Sequence, residues 1–248
     1  MKKVIRVTVW NEFRHEKSEE SIRAIYPNGL HAVIAEALST DAALDVRMAA
    51  LDDPDQGLPP EVLNNTDVLI WWGHMVHHEV NDALVEAIRQ RVYLGKMGLV
   101  VLHSGHHSKV FRSVVGTTGN LSWGTNQKEI VWNVNPTHPI AAGIPDHFCL
   151  DKEELYAEPF YVGEPDETVF LSWFEGGFVM RSGLVFKRSA GKIFYFQPGH
   201  EECRSFYNEY VQRIIRNAVY YVKPSAPSFD IPDGAPHRPH FVTDEFGA

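Results

Sequence analysis

At 248 residues and 44% hydrophobic content, the chain is long enough for one large α/β domain or two small ones and needs no cross-links to build a core. Lys and Arg number 23 against 32 Asp and Glu, and the formal net charge of −9 repels phosphate backbones and excludes a basic nucleic-acid surface. Cys149 and Cys203 are too few for a disulfide framework, and no apolar run approaches the roughly 18 residues of a membrane span, so a cytoplasmic protein with no membrane partner is expected.

Short β-branched runs alternate with amphipathic segments, the pattern of a mostly parallel sheet in a three-layer α/β fold. A strand is expected at 3–10, then a helix at 28–38 with Leu30, Ile34 and Leu38 on one face, then a second strand at 43–51. DVLIWWG (67–73) is apolar on consecutive positions, as a strand buried on both faces should be. The helix at 78–96 buries Val80, Leu84, Ile88 and Val92 and stops at Gly95, and a strand at 97–103 follows. VGTTGNLSWGTNQ (115–127) reads as a long loop, 128–134 as a strand, 135–145 as proline-punctuated and 148–160 as a mixed, carboxylate-loaded segment. Residues 167–200 read as strands joined by glycine turns, and 205–223 as a helix capped by Ser205. Residues 1–223 are thus expected to form a single α/β domain, with 224–248 an extended proline-rich tail. The tail and the abundant aromatics suggest a homo-oligomer.

Two strand ends carry chemistry. In VVLHSGHHS a strand runs into a sharp turn that would expose His103 at the sheet's carboxyl edge, with Ser104, Gly105 and His106 behind it and backbone N–H groups free to approach a ligand. FYFQPGHEE repeats the device with His200, followed by Glu201 and Glu202. If the two turns meet, His103, His106 and His200 with a carboxylate form either an acid/base site or a divalent-metal site, zinc first among the candidates. Glu154 and Glu158 in DKEELYAEP are the carboxylates expected to reach it. The competing reading is that these histidines only hydrogen-bond loop backbone and that the glutamates are a solvated run. Trp72, His74 and Trp123, near strand ends and glycine turns, are candidates for binding a sugar, whose C–H faces stack on indole, although tryptophan in a strand is more often core. His15 in NEFRHEK is a further candidate at the same edge. No nucleotide cofactor is expected.

The HSGH turn is similar to the Cys-x-Gly-His pattern of class I glutamine amidotransferases with His103 where their cysteine stands, so glutamine hydrolysis is disfavoured. WWGH (71–74), the run from Val100 to Trp123, HPIAAGI (138–144), EELYAEPF (153–160) and GKIFYFQPGHE (191–201) together resemble the ThuA-like trehalose-utilization family. That resemblance implies a class I glutamine amidotransferase-like, flavodoxin-like fold and a place in the metabolism of trehalose and related disaccharides, including their 3-keto derivatives. Three readings follow. The favoured one is an enzyme isomerising a small-molecule sugar or cleaving its C–O bond, with His103, His200 and Glu154 catalytic and Trp72, His74, Ser104, Gly105, Trp123 and Glu158 binding substrate. The second is a non-catalytic sugar-binding or regulatory protein on the same scaffold. The third, least favoured, is a hydrolase with Ser104 as nucleophile.

Overall fold

The apolar runs at 68–72 and 98–102 become strands in which every residue is buried, because helices cover both faces of the sheet. The computed structural model describes residues 4–225, so nearly all of the expected tail lies outside the described residues. Among the described residues, nine strands form one sheet: β1 (Ile5–Asn11), β2 (Leu44–Ala50), β3 (Val68–Trp72), β4 (Gly98–Leu102), β5 (Ser122–Asn133), β6 (His147–Ala157), β7 (Glu167–Phe174), β8 (Val179–Arg188) and β9 (Gly191–Phe196). Their order is β2-β1-β3-β4-β9-β8-β7-β5-β6.

The sheet is mixed, which corrects the expectation of a mostly parallel one. The pairs linking β2, β1, β3, β4 and β9 are parallel, in a flavodoxin-like order, whereas those linking β9, β8, β7, β5 and β6 are antiparallel. The reason is connection length. Helices separate the early strands, whereas β7–β8 and β8–β9 are joined only by residues 175–178 and 189–190, too short for a parallel crossover, and the longer β5–β6 connection holds a single 3-10 turn, Pro139–Ala141, and no helix to carry the chain back. Half of the expected loop at 115–127 and nearly all of the mixed segment at 148–160 are the strands of the β5–β6 ribbon. Register shifts between Gly124 and Asn126 and between Gln127 and Glu129 break the alternation that would have marked β5 as a strand.

The helices are α1 (His15–Ser18), α2 (Glu20–Ile25), α3 (Leu30–Ser39), α4 (Pro60–Asn64), α5 (Asp82–Tyr93), α6 (Lys109–Val115) and α7 (Glu209–Val222). α3 and α7 cover one face, packing Leu30, Ile34, Ile214 and Ala218 against Val7, Ile70, Val100 and Phe194. α4, α5 and α6 cover the other with Val62, Ile88, Phe111 and Val114 against Leu69, Val101 and Tyr195. On that second face the Trp10 and Trp71 rings stack with centroids 3.7 Å apart. The cap of α7 is Asn208, whose side chain accepts from the backbone of Tyr210 and Val211, and not Ser205, which lies in a separate 3-10 turn.

β4 begins at Gly98 because a side chain there would collide with the end of α7: an added Cβ would stand 2.3 Å from the Val222 carbonyl oxygen. Gly98→Ala is therefore expected to destabilise the protein by about 1–3 kcal/mol. Urea unfolding measures it, and an unchanged midpoint would contradict this packing.

Candidate functional site

Four turns at the carboxyl ends of β1, β3, β4 and β9 converge on one edge of the sheet, and each is fixed by a local device. After β1, Asn11 donates to Glu16 (2.8 Å) and accepts from the Phe13 N–H (2.9 Å), turning the chain into α1 with His15 at its start. After β3, the buried Glu12 carboxylate accepts from the backbone N–H groups of His74 (2.7 Å), Met75 (2.7 Å) and Val76 (3.3 Å), which pins His74 over the edge. After β4, His103 takes a left-handed φ of 47°, uncommon for a residue with a side chain and a mark of a turn held by its surroundings. After β9, the buried Glu153 accepts from Gly199 (2.9 Å) and His200 (3.0 Å), and also from the Ser205 hydroxyl.

Glu153 belongs to β6, so these bonds bring the β5–β6 ribbon back across the ends of β4 and β9. Glu154 follows, its carbonyl accepting from Gln197 Nε2 at 3.2 Å. Its Oε2 lies 3.0 Å from His103 Nε2 and 3.7 Å from His200 Nε2. His103 Nδ1 donates to the Gln197 carbonyl (2.8 Å), and Tyr156 stacks on its ring at 4.6 Å with the hydroxyl 3.3 Å from Nε2. The His103 side chain is 0% exposed while Glu154 and His200 keep 11% and 10%, so His103 stands behind Glu154 and does not itself face solvent. Beside this group, Glu201 Oε1 lies 3.4 Å from His15 Nε2, 3.4 Å from His74 Nδ1 and 3.5 Å from His200 Nε2. Among the described residues, two sets are thus close enough to hold a metal ion: His103, Glu154 and His200, and His15, His74 and Glu201.

Burial dominates the electrostatics. It pushes His74 down to about 3 and His200 down to about 2, with the charges of neighbouring histidines adding to it, so both rings are neutral near pH 7. Burial also pulls His103 downward, but the hydrogen bond to Glu154 and the charges of Glu154, Glu153 and Glu201 outweigh it and raise the ring above its ordinary value. Tyr156 is held well above the usual phenol range by burial and then by the Glu154 charge, which keeps its hydroxyl protonated. Glu129, fully buried on β5, is raised well above the carboxylate range by burial and then by Glu153.

Several residues singled out in the sequence are occupied elsewhere. Glu158 is held by the Arg181 guanidinium (Nε at 2.8 Å) and by the Phe160 and Arg181 backbone, so it clamps a loop. Trp72 is buried in the core and donates to the Gly199 carbonyl at 3.0 Å, leaving no free indole face. The Ser104 hydroxyl donates to the Gly73 carbonyl at 2.8 Å and is buried, which removes it as a nucleophile. Gly105 serves packing: a Cβ there would stand 2.8 Å from Val101 Cγ1. His106 belongs to neither ligand set; Nδ1 donates to the Gly119 carbonyl (2.6 Å) and the ring meets Tyr156 and Phe160 edge-on. Trp123 is 73% exposed and sits directly opposite Tyr156 across the β5–β6 ladder. Glu12 and Glu129 carry no signal in the sequence beyond being glutamates in or beside apolar runs, and Glu153 is visible there only as one of three glutamates in DKEELYAEP, of which one or two could point inward.

The flavodoxin-like parallel half, the antiparallel extension and a His/Glu cluster in place of a thiol define an α/β protein with a candidate site at the carboxyl edge of its sheet. The family model "ThuA: Trehalose utilisation" matches residues 6–222, and the chain belongs to that family. Among solved structures, a ThuA-like protein from Parabacteroides merdae is similar with a TM-score of 0.67 at 14% identity, over 94% of this chain and 95% of that one. A ThuA-like protein from Bacteroides uniformis follows with 0.61 at 16% identity, over 88% and 91%. A protein of Salmonella typhimurium described as cytoplasmic gives 0.57 at 13% identity, over 89% and 100%. At these identities the likeness speaks for the fold alone. No curated protein matches the chain. Among the described residues, no helix is long and apolar enough to cross a membrane.

Two outcomes follow from the electrostatics. Removing the Glu154 charge by Glu154→Gln leaves His103 buried without its partner, so its titration midpoint, read by NMR of the imidazole nitrogens, should fall; an unchanged midpoint would contradict the pairing. His74 and His200, and His77 at about 4, have folded values below the unfolded value of about 6.5. The unfolded chain therefore binds protons that the folded one refuses. Stability from these groups is complete above about pH 6.5 and is lost as pH falls toward the folded values, by up to about 1.4 kcal/mol per pH unit for each ring. His103, with its raised value, works in the opposite sense. Chelator-treated protein should show a falling urea midpoint from pH 7 to 5, and a flat profile would contradict the burial of these rings.

Proposed function

We propose that the chain is an enzyme of disaccharide utilisation that moves a proton on a trehalose-type sugar or its keto derivative, with Glu154 as the group that meets the substrate. The observation that carries this is the position of Glu154: its carboxylate is the partly exposed member of a buried charge pair with His103 and lies beside the neutral His200. The pairing supports Glu154 as a base of fixed orientation, because His103 is itself held from behind by the Gln197 carbonyl and the Tyr156 ring. His103 is then a positioning residue, which reverses the roles expected from the sequence.

On a keto-sugar, Glu154 takes the proton from the carbon beside the ketone, and the C–H electron pair moves onto the carbonyl oxygen to form an enolate. The hydroxyl proton on that carbon passes to the enolate oxygen, and the proton held by Glu154 is delivered to the former ketone carbon, so that ketone and hydroxyl exchange places in the isomer. Alternatively, the enolate re-forms the ketone and expels the oxygen substituent on the carbon beyond the deprotonated one, leaving a carbon–carbon double bond, and the leaving oxygen takes the proton held by Glu154 while the neutral His200 donates only a hydrogen bond to it. A divalent ion at this edge of the sheet would polarise the ketone. The exposed Trp123 indole, opposite Tyr156, suits the C–H face of a sugar ring. A cytoplasmic location and assembly into a homo-oligomer are part of the same proposal.

Turnover of 3-keto-trehalose by the metal-replete protein and by Glu154→Gln tests it. The variant should be slower by about 10²- to 10⁴-fold while calorimetry shows sugar affinity within a few-fold of the parent. Equal turnover would overturn the role of Glu154. Tight binding with unchanged sugar recovered would replace the enzymatic reading with a binding one.

A further inference from the structure

We propose that His15, His74 and Glu201 form the seat of a divalent transition-metal ion, zinc foremost, held by His15 Nε2, His74 Nδ1 and Glu201. The three atoms stand 2.7 Å apart for His15 and His74 and 3.4 Å for each histidine to Glu201 Oε1. Ligands about 2.0–2.2 Å from a tetrahedral zinc ion stand about 3.3–3.6 Å apart; the two histidine–carboxylate separations have that size, and the shorter His15–His74 separation is a hydrogen bond whose shared proton an ion would replace, parting the two nitrogens slightly. Two imidazoles and one carboxylate are also the donor set of open zinc and non-haem iron sites, in which at least one position is left for water or substrate.

Three further observations favour this seat over the neighbouring set of His103, Glu154 and His200. The first is tautomer. A carboxylate only accepts, so His15 carries its proton on Nδ1 toward Glu19 Oε1 (2.9 Å), leaving the Nε2 lone pair aimed at His74 and Glu201. This is the carboxylate–histidine arrangement that orients metal ligands. His200 has the opposite state: its Nδ1 accepts from the Glu202 N–H (3.3 Å), so the neutral ring keeps its proton on Nε2, the atom that faces Glu154 and Glu201. That makes His200 a hydrogen-bond donor beside the ion and unsuits it as a ligand. The second is the carboxylate. Glu201 is 3% exposed, and among the described residues its Oε2 is buried without a hydrogen-bond partner. A buried carboxylate oxygen left in that state is costly, and a cation or its bound water supplies the missing partner.

The third is construction and access. Glu12 fixes the His74 turn through three backbone N–H groups, and the His74 side chain, 32% exposed, gives the ion a route in and lets that ring move its proton to Nε2 when Nδ1 coordinates. The site lies across His200 from Glu154. It rests on the proposed sugar chemistry only for what the ion would do there, which is to polarise the substrate carbonyl while Glu154 moves the proton.

The test uses metal alone, without sugar. Chelator-stripped full-length protein is titrated with Zn²⁺ by calorimetry and with Co²⁺ by visible absorption, alongside His74→Ala, Glu201→Gln, Glu19→Gln and Glu154→Gln. The expected result is one ion per chain in the parent and in Glu154→Gln, and affinity lower by at least about 10²-fold in His74→Ala and Glu201→Gln. In Glu19→Gln, affinity should be lower by about 10- to 100-fold, the size of effect expected of a group that orients a ligand. Glu19 has a 45% exposed side chain, so its conservative variant keeps the fold and isolates the orienting effect. No ion in the parent, or an ion lost in Glu154→Gln and retained in His74→Ala, overturns the assignment. Because sugar turnover is read separately, that failure would leave the role of Glu154 standing, and loss of the sugar reading would leave the metal seat standing.

Discussion

The carboxylate of Glu153 is the constraint on which the site depends. It is fully buried, and it is satisfied by the N–H groups of Glu154, Gly199 and His200 together with the Ser205 hydroxyl. A buried carboxylate is tolerable only with such a set of donors, and assembling that set forces β6 against the turn after β9. One side chain thereby ties the far edge of the antiparallel half back to the turn that ends the parallel half. Glu154, the next residue, is delivered to His103 as a consequence. The neighbouring Glu129 is pushed toward its neutral form by burial and by Glu153, which eases the crowding of charge beneath the site.

The edge as a whole holds polar groups that a core would ordinarily exclude. Glu12, Glu153, Glu154 and Glu201 are buried there with His15, His103 and His200. Each is matched by backbone donors or by another member of the set, apart from the unpartnered Glu201 Oε2. Polar burial on this scale weakens a fold unless it is fully paired, and its concentration at one edge of the sheet is what singles out that edge as the candidate site.

Much of this was legible in the sequence wherever the signal was local. β3 and β4 announce themselves as apolar runs, and the turns holding His103 and His200 are visible as polar residues directly after such runs. Glu154 was legible as one member of an acidic run. What the sequence could not show was who meets whom. Glu158 looks as free as Glu154 until Arg181 is found beside it, and Ser104 looks like a nucleophile until its hydroxyl is seen on the Gly73 carbonyl. The β5–β6 ribbon was hidden because register shifts and Gly, Thr and Asn residues mask the two-residue period. His15 and Glu201 lie almost two hundred residues apart, and their meeting follows from β1 and β3 being neighbours in the parallel half, with β4 and β9 beyond them.

A crystal structure of Glu154→Gln soaked with 3-keto-trehalose would test the central claim most directly. The account predicts the sugar at the carboxyl edge, with a ring carbon beside the residue-154 amide, His200 within hydrogen-bonding reach and the Trp123 indole against a ring face. A sugar bound at another surface, with residue 154 and His200 untouched, would contradict it.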